Sequence, residues 1–147
     1  DSPEAVREVI ALAAGQGRWM WTVRRDGQIV GTTSFLDVVP GDARLEIGFT
    51  AYAPSTWSGV VNPSCKLLLM TWAFEEAGFG RVQLKTDIRN ARSQAAIERL
   101  GAQREGVLRS YQRRQDGTMR DTVMYSVLAQ EWPRVRQGLL DRLAAGG

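Results

Sequence analysis

The chain contains no histidine. This one absence removes the commonest general base at neutral pH, the serine–histidine–aspartate triad and most zinc ligand sets. Chemistry must then rest on carboxylates, hydroxyls, a thiol, backbone amides or a cofactor. Cysteine occurs once, at Cys65, so no internal disulfide can form. That fits a reducing, cytoplasmic compartment. Long apolar runs are also missing. The longest, such as residues 67–70, fall far short of the roughly 20 residues a membrane helix needs, and no segment reads as a signal peptide. There are no charge blocks, internal repeats, linkers or low-complexity stretches.

What is present is an ordinary globular balance: 147 residues, 44% hydrophobic and 24% charged. That suits a single domain over residues 1–147, long enough to bury a core without staples. The formal net charge is +3. A mildly basic surface suits a phosphate-bearing ligand, and equally an arginine-rich composition with a solvated face.

Residues 2–12 carry a helical apolar pattern ending near Gly15. Residues 18–25 alternate as a strand, with Trp19, Trp21 and Val23 set against Met20, Thr22 and Arg24. Asp26-Gly27 is a hairpin signal. Residues 28–39 return, Pro40-Gly41-Asp42 turns, and residues 44–52 form a third strand. Residues 53–62 are a loop. Asn62-Pro63 predicts a helix start, with Asn as cap and Pro at the first helical position. That helix should run to about Ala77, stop at Gly78 and be largely buried. Residues 81–87 alternate cleanly as a strand. Strand, helix and strand with short joins imply a crossover and a parallel pair. Asn90 caps a second helix over residues 91–100, ended by Gly101. Strands over residues 103–112 and 119–128 follow, then a terminal amphipathic helix over residues 131–143.

Two places offer chemistry. The loop at residues 56–63 carries Gly59 and delivers a helix N-terminus, whose first amides lack internal partners and attract anions. Lys66 lies one turn in, where the helix dipole gives a lysine nothing, and an anionic partner would explain it. The second place is residues 87–92. Both helices start at the carboxyl ends of the parallel strands, where ligands of such folds bind.

At this point a resemblance becomes specific. Leu45-Glu46-Ile47-Gly48-Phe49, residues 57–66, Ala73-Phe74-Glu75, residues 81–87, Asn90-Ala91-Arg92-Ser93-Gln94 and Glu98-Arg99-Leu100-Gly101-Ala102 resemble the GNAT acetyltransferases. The likeness is closest to the branch of ribosomal-protein N-terminal acetyltransferases. Residues 104–109, Asp116-Gly117, Arg120-Asp121 and Glu131-Trp132-Pro133 extend it over roughly four fifths of the chain. It implies an α/β (α+β) fold: a mixed, mostly antiparallel twisted sheet with a central parallel pair, flanked by helices. It also implies that the chain begins inside the family's second helix, with the opening strand and helix missing or upstream.

The resemblance further implies an N-acetyltransferase using acetyl-CoA as co-substrate, without a metal, acting on a primary amine at a protein N-terminus or on a small molecule. The strand at residues 44–52, Phe49 included, would pair with the pantetheine arm. Ser58, Gly59, Val60, Asn62 and Lys66 would hold the pyrophosphate. Asn90 would contact pantetheine, Ser93 would stand near the thioester sulfur, and Arg89 or Arg92 would meet the adenosine phosphate. Three departures stand out. The pyrophosphate loop has a single glycine. Ile97 stands where many relatives place a tyrosine, and Ala102 follows Gly101 where a phenylalanine is usual.

The implied reaction is direct acyl transfer. Ser93 is the candidate for stabilising the leaving thiolate. Glu46, in an otherwise apolar strand, is the candidate base, with Asp87 and Tyr111 behind it. Cys65 would suit an acyl-enzyme, but without histidine a buried structural role is preferred. Two other classes compete: a non-catalytic acyl-CoA-binding or sensing module on the same fold, and a nucleic-acid binder using Arg109, Tyr111, Arg113, Arg114 and Arg120, which a solvated hairpin explains as well. Neither membrane nor nucleic acid is an expected partner. A homodimer is compatible with sheet edges that need covering.

Overall fold

The computed structural model describes residues 17–146. The helix expected at residues 2–12 lies outside them. Six strands form one sheet: β1 (Trp19–Arg25), β2 (Gln28–Val39), β3 (Arg44–Tyr52), β4 (Arg81–Asp87), β5 (Gln103–Arg113) and β6 (Met119–Leu128). Their spatial order is β1-β2-β3-β4-β6-β5. Every neighbouring pair is antiparallel except β3 and β4, which are parallel. This is the mixed sheet that the sequence predicts. The helices are α1 (Val61–Thr71), α2 (Ala91–Arg99) and α3 (Trp132–Ala144). Among the described residues no helix is long and apolar enough to cross a membrane.

Register divides the sheet into two faces, because side chains alternate along each strand. Leu45, Val82 and Val127 lie side by side across β3, β4 and β6, and so do Glu46, Gln83 and Ser126. The first row belongs to the core. Leu45, Val82, Val123, Tyr125 and Val127 are fully buried, packed with Met70 of α1, Ile97 of α2 and Val135 and Leu139 of α3. The second row is polar and carries the ionic side chains of the sheet. Among the described residues all three helices therefore cover one face, and the other carries the charge.

The sequence places α1 imperfectly. Its N-cap is Val60, and no side chain caps it. The first helical hydrogen bond runs from the Ser64 amide to the Val60 carbonyl at 2.9 Å. Asn62 and Pro63 thus lie inside the first turn, and Asn62 is not the cap. Proline is tolerated there because the opening amides of a helix have no internal partner. The helix is also less buried than its apolar residues suggest, since Leu68 is 70% exposed. Its α-helical bonding ends at Thr71, and a wider π turn, Trp72–Glu76, follows. That turn brings Trp72 against Phe35 (5.2 Å between ring centres). It also places Glu75 where its Oε1 accepts from Trp132 Nε1 at 2.7 Å, tying α1 to α3.

The other predicted devices are in place. Asn90 Oδ1 accepts from the Ser93 amide at 3.0 Å and caps α2. Gly101, with φ +92°, terminates it. Gly31 is needed for a different reason. A Cβ there would stand 2.3 Å from the Ala51 carbonyl oxygen and 2.6 Å from Tyr52 Cδ1. A backbone oxygen cannot give way cheaply, so β2 and β3 would be forced apart beside the bulge described below. Gly31→Ala is therefore expected to destabilise the fold by about 1–3 kcal/mol, the usual cost of overpacking. Gly41→Ala, in open space, should leave thermal unfolding unchanged in the same calorimetric comparison.

Candidate functional site

The parallel pair is short. β3 and β4 pair only at Arg44–Arg81, Leu45–Val82 and Glu46–Gln83. β4 continues along β6 to Asp87, matched with Thr122. β3 instead follows β2, and a bulge bends it away. Ser34 pairs with Gly48 and Thr32 with Ala51, so Phe49 and Thr50 together oppose Thr33. Phe49 takes a left-handed conformation, φ +46°, which costs a non-glycine residue about 1–3 kcal/mol. Bulges increase twist and bend their strand. Residues 47–52 and 84–87 consequently part, and a groove of about 960 Å³ opens between them.

The groove reaches both faces of the sheet. Asn62 and Lys66 of α1 and Asn90 and Ser93 of α2 line it from the helical side, while Glu46, Lys85 and Tyr111 line it from the polar side. Of the residues singled out in the sequence, Ser93, Glu46, Phe49, Ser58, Gly59, Asn62, Lys66, Asn90 and Arg92 all line it. Val60 does not: as the N-cap of α1 it lends its carbonyl to the helix.

The helical side has the character of an anion site. The amides of Val61 and Asn62 precede the first helical hydrogen bond and are not used by the helix. Ser58, rather than Gly59, takes the left-handed conformation in the preceding loop, φ +61°. Lys66 is buried, 7% exposed. Its nearest polar partner is a hydroxyl, Thr50 Oγ1 at 3.4 Å. Burial pushes its ammonium down to about 8. A lysine kept this far from water with one weak partner fits a bound anion. Beside it, the Tyr52 hydroxyl is buried without a hydrogen-bond partner, and burial raises its pKa. Cys65 is half-buried in the same turn of α1. Asn90 spends its oxygen on the Ser93 amide, which leaves its amide nitrogen for a ligand. At the mouth, the Arg92 guanidinium lies 4.0 Å from the centre of the Trp57 ring, and Trp57 Nε1 donates to the Tyr52 carbonyl at 2.9 Å.

The polar side is built from ion pairs. Glu46 is 9% exposed, and Lys85 Nζ lies 2.7 Å from its Oε2. Lys85 also donates to the Tyr111 hydroxyl at 3.1 Å. Burial works against the Lys85 ammonium, but Glu46 and Tyr111 outweigh it and leave its pKa raised. Tyr111 reaches this position through a second bulge, where three residues of β5 between Leu108 and Gln112 oppose Asp121 alone. Gly48 matters here for its size: a Cβ would meet Leu36 Cδ1 at 2.8 Å and Glu46 Oε1 at 3.1 Å. Asp87 is held by Arg114 at 2.6 and 2.9 Å. The Arg114 guanidinium and the Arg89 amide keep it well below the usual carboxylate range. Such a group is a weak base, which removes Asp87 from the candidates. Lys85 was missed in the sequence. Its place on the polar face of β4, one alternation beyond the partner of Glu46, is the signal that would have found it.

Residues 1–103 match the family model described as the acetyltransferase (GNAT) domain. The Bacillus subtilis protein named "Putative ribosomal N-acetyltransferase YdaF" is 32% identical over 109 residues, covering 73% of this chain and 57% of that protein. The chain therefore spans little more than half of that relative's length. A second Bacillus subtilis protein, "Uncharacterized N-acetyltransferase YoaA", is 29% identical over 76% of this chain and 62% of its own. Among solved structures, a "putative acetyltransferase" from T. thermophilus superposes with a TM-score of 0.89 at 43% identity, covering 97% of this chain and 76% of that one. Mycobacterium smegmatis RimJ, solved in complex with CoA-disulfide, shares the fold at 23% identity and a TM-score of 0.77, covering 94% of this chain and 66% of its own. The family model spans more than half of the chain, and the chain belongs to the GNAT acetyltransferase family.

Proposed function

We propose that the chain is the single catalytic domain of an acetyl-CoA-dependent N-acetyltransferase, cytoplasmic and free of metal, that acetylates a primary amine by direct transfer. The observation that carries this reading is the groove between β3 and β4, open to an anion site on one face and to a buried carboxylate on the other. The family and the named N-acetyltransferase relatives support it.

Acetyl-CoA supplies a thioester activated toward attack by a neutral amine. The amides of Val61 and Asn62, the Ser58–Gly59 loop and the Lys66 ammonium hold its diphosphate. The backbone of residues 47–52, which has no partner strand on the groove side, hydrogen-bonds the pantetheine arm and offers amides to the oxygen that gains charge. The Asn90 side-chain nitrogen fixes the same arm. Arg92, stacked on Trp57, lies at the mouth for the nucleotide phosphate. Ser93, in the first turn of α2 and lining the groove, hydrogen-bonds the sulfur as it becomes a thiolate. Glu46 takes the proton from the acceptor amine, held in place by Lys85, which is held in turn by Tyr111. Ile97 is buried at 8% exposure, so Ser93 carries the role that a tyrosine fills in many relatives.

Glu46→Gln should lower kcat about a hundredfold or more, the usual contribution of a general base. Steady-state kinetics should show the KM for acetyl-CoA unmoved. Equal losses in binding and turnover would assign Glu46 a structural role instead.

Lys66 gives the sharpest test. Its folded value is about 8 against an ordinary 10.5, so between those pH values the unfolded chain binds more protons and stability rises with pH. Below pH 8 the fold carries the whole cost of the buried ammonium, roughly 3 kcal/mol at 1.36 kcal/mol per unit. Lys66→Met should therefore raise the melting temperature at pH 7. The diphosphate favours the charged lysine, so affinity for coenzyme A should hold up to about pH 8 and fall above it. In Lys66→Met, affinity should be weaker and flat with pH. Calorimetric titration of wild type, Lys66→Met and Asn90→Ala reads all three, and wild-type affinity independent of pH would remove Lys66 from the site.

A further inference from the structure

The polar mouth of the groove bears on the second substrate. Asp37, Glu46 and Asp87 are the carboxylates that line the groove. Each has a resident cation: Asp37 has Arg44 at 2.5 Å, Glu46 has Lys85 at 2.7 Å, and Asp87 has Arg114 at 2.6 Å. A polycationic acceptor would have to displace an arginine or lysine at every carboxylate it met, exchanging one ion pair for another with no net gain. Among the described residues nothing on this side is set out to hold a polyamine or an aminoglycoside.

Arg120 is the converse case. It lines the same groove and lies on the polar face of β6, two residues from Thr122. Its Nε donates to Thr122 Oγ1 at 2.9 Å, and Thr122 is fully buried, so one edge of the guanidinium is fixed. Among the described residues no carboxylate hydrogen-bonds it: Asp87 lies near enough to feel its charge, but Arg114 already occupies that carboxylate with two hydrogen bonds. The terminal nitrogens remain as a planar fork, the geometry that carboxylates and phosphates take bidentately. The spacing sets a scale. Met124 stands opposite Lys85, and Arg120 is four residues along β6 from it, roughly 13 Å between Cα atoms. That spacing puts Arg120 several bonds from an amine placed at Glu46, the partner of Lys85.

We infer that the acceptor amine carries an anionic group, a carboxylate or a phosphate, several bonds from its nitrogen, and that Arg120 is the residue that selects it. This rests on the acetyltransferase reading. The acceptor's anion then faces Arg120, and its amine, delivered neutral, faces Glu46. The chemistry of transfer is unchanged.

The test is thiol release from acetyl-CoA with matched acceptors, after binding of coenzyme A has been shown by titration. Three C-terminally amidated tripeptides share an N-terminal alanine and differ at the third residue: glutamate, glutamine or lysine. 6-Aminohexanoate, an aminoalkyl phosphate of similar length and spermidine complete the set, and the two small anions separate carboxylate from phosphate. The wild type should prefer the anionic acceptors. Arg120→Ala should raise their KM about tenfold, with kcat within about twofold, and leave the glutamine peptide unmoved; that split marks lost uniform binding rather than lost chemistry. Arg120→Glu should turn the preference toward lysine. Preference of the wild type for spermidine or the lysine peptide overturns the inference, as does an equal loss for all acceptors in Arg120→Ala. Silence of every anionic amine with coenzyme A still bound also overturns it and leaves the acetyltransferase reading standing. Failure of the wild type to bind coenzyme A overturns both.

Discussion

The molecule depends on the point where β3 leaves β4. Three residue pairs hold the two strands together, and one left-handed phenylalanine in a bulge takes them apart. β4 is kept straight by seven pairs with β6, so the bend falls wholly on β3. The groove is thus a consequence of unequal loyalty: one strand is bound along its length on its outer side, while the other follows a partner that turns away. The local strain at Phe49 is offset by pairing on both sides of the bulge and by the Thr33–Thr50 hydroxyl contact at 2.9 Å.

The same parting explains why charge is sorted by face. The helices need an apolar surface, and the row through Leu45, Val82 and Val127 supplies it. The opposite row is left to Glu46, Gln83 and Ser126. The carboxylates that line the groove there are each paired with a cation, which keeps buried ions tolerable in a poorly hydrated setting. Lys66 is a buried charge without a counter-ion. It sits on the helical side, with a hydroxyl at 3.4 Å in place of a counter-ion. A fold selected for stability alone would not keep it, since replacing an unpaired buried charge by an apolar group is favourable.

Much of this was legible in the sequence because its signals are local. Asp26-Gly27, the alternation of residues 81–87 and the Asn90 and Gly101 bounds of α2 each specify their element through a few neighbouring residues. The mixed sheet followed from the one crossover. What failed was also local. Asn62-Pro63 is a persuasive helix start, but the tertiary setting extends the helix two residues earlier, where a valine serves as cap. The π turn at Trp72–Glu76 has no sequence signature; the packing of Trp72 on Phe35 and of Glu75 on Trp132 selects it. At the site, residues belonging to motifs were found, whereas Lys85 and the bulge at Phe49 depend on register between distant strands, which no single stretch of sequence carries.

The Trp57–Arg92 contact joins the loop after β3 to the first turn of α2, across the end of the groove. An exposed cation–aromatic contact contributes only about 0.5–1 kcal/mol. So small a bond opens and closes thermally, with the unlatched form making up a sizeable fraction of the population at any moment. Passage through that end of the groove therefore needs no unfolding of either element, and the entry of a long, flexible ligand is left to diffusion rather than to a slow rearrangement of the protein.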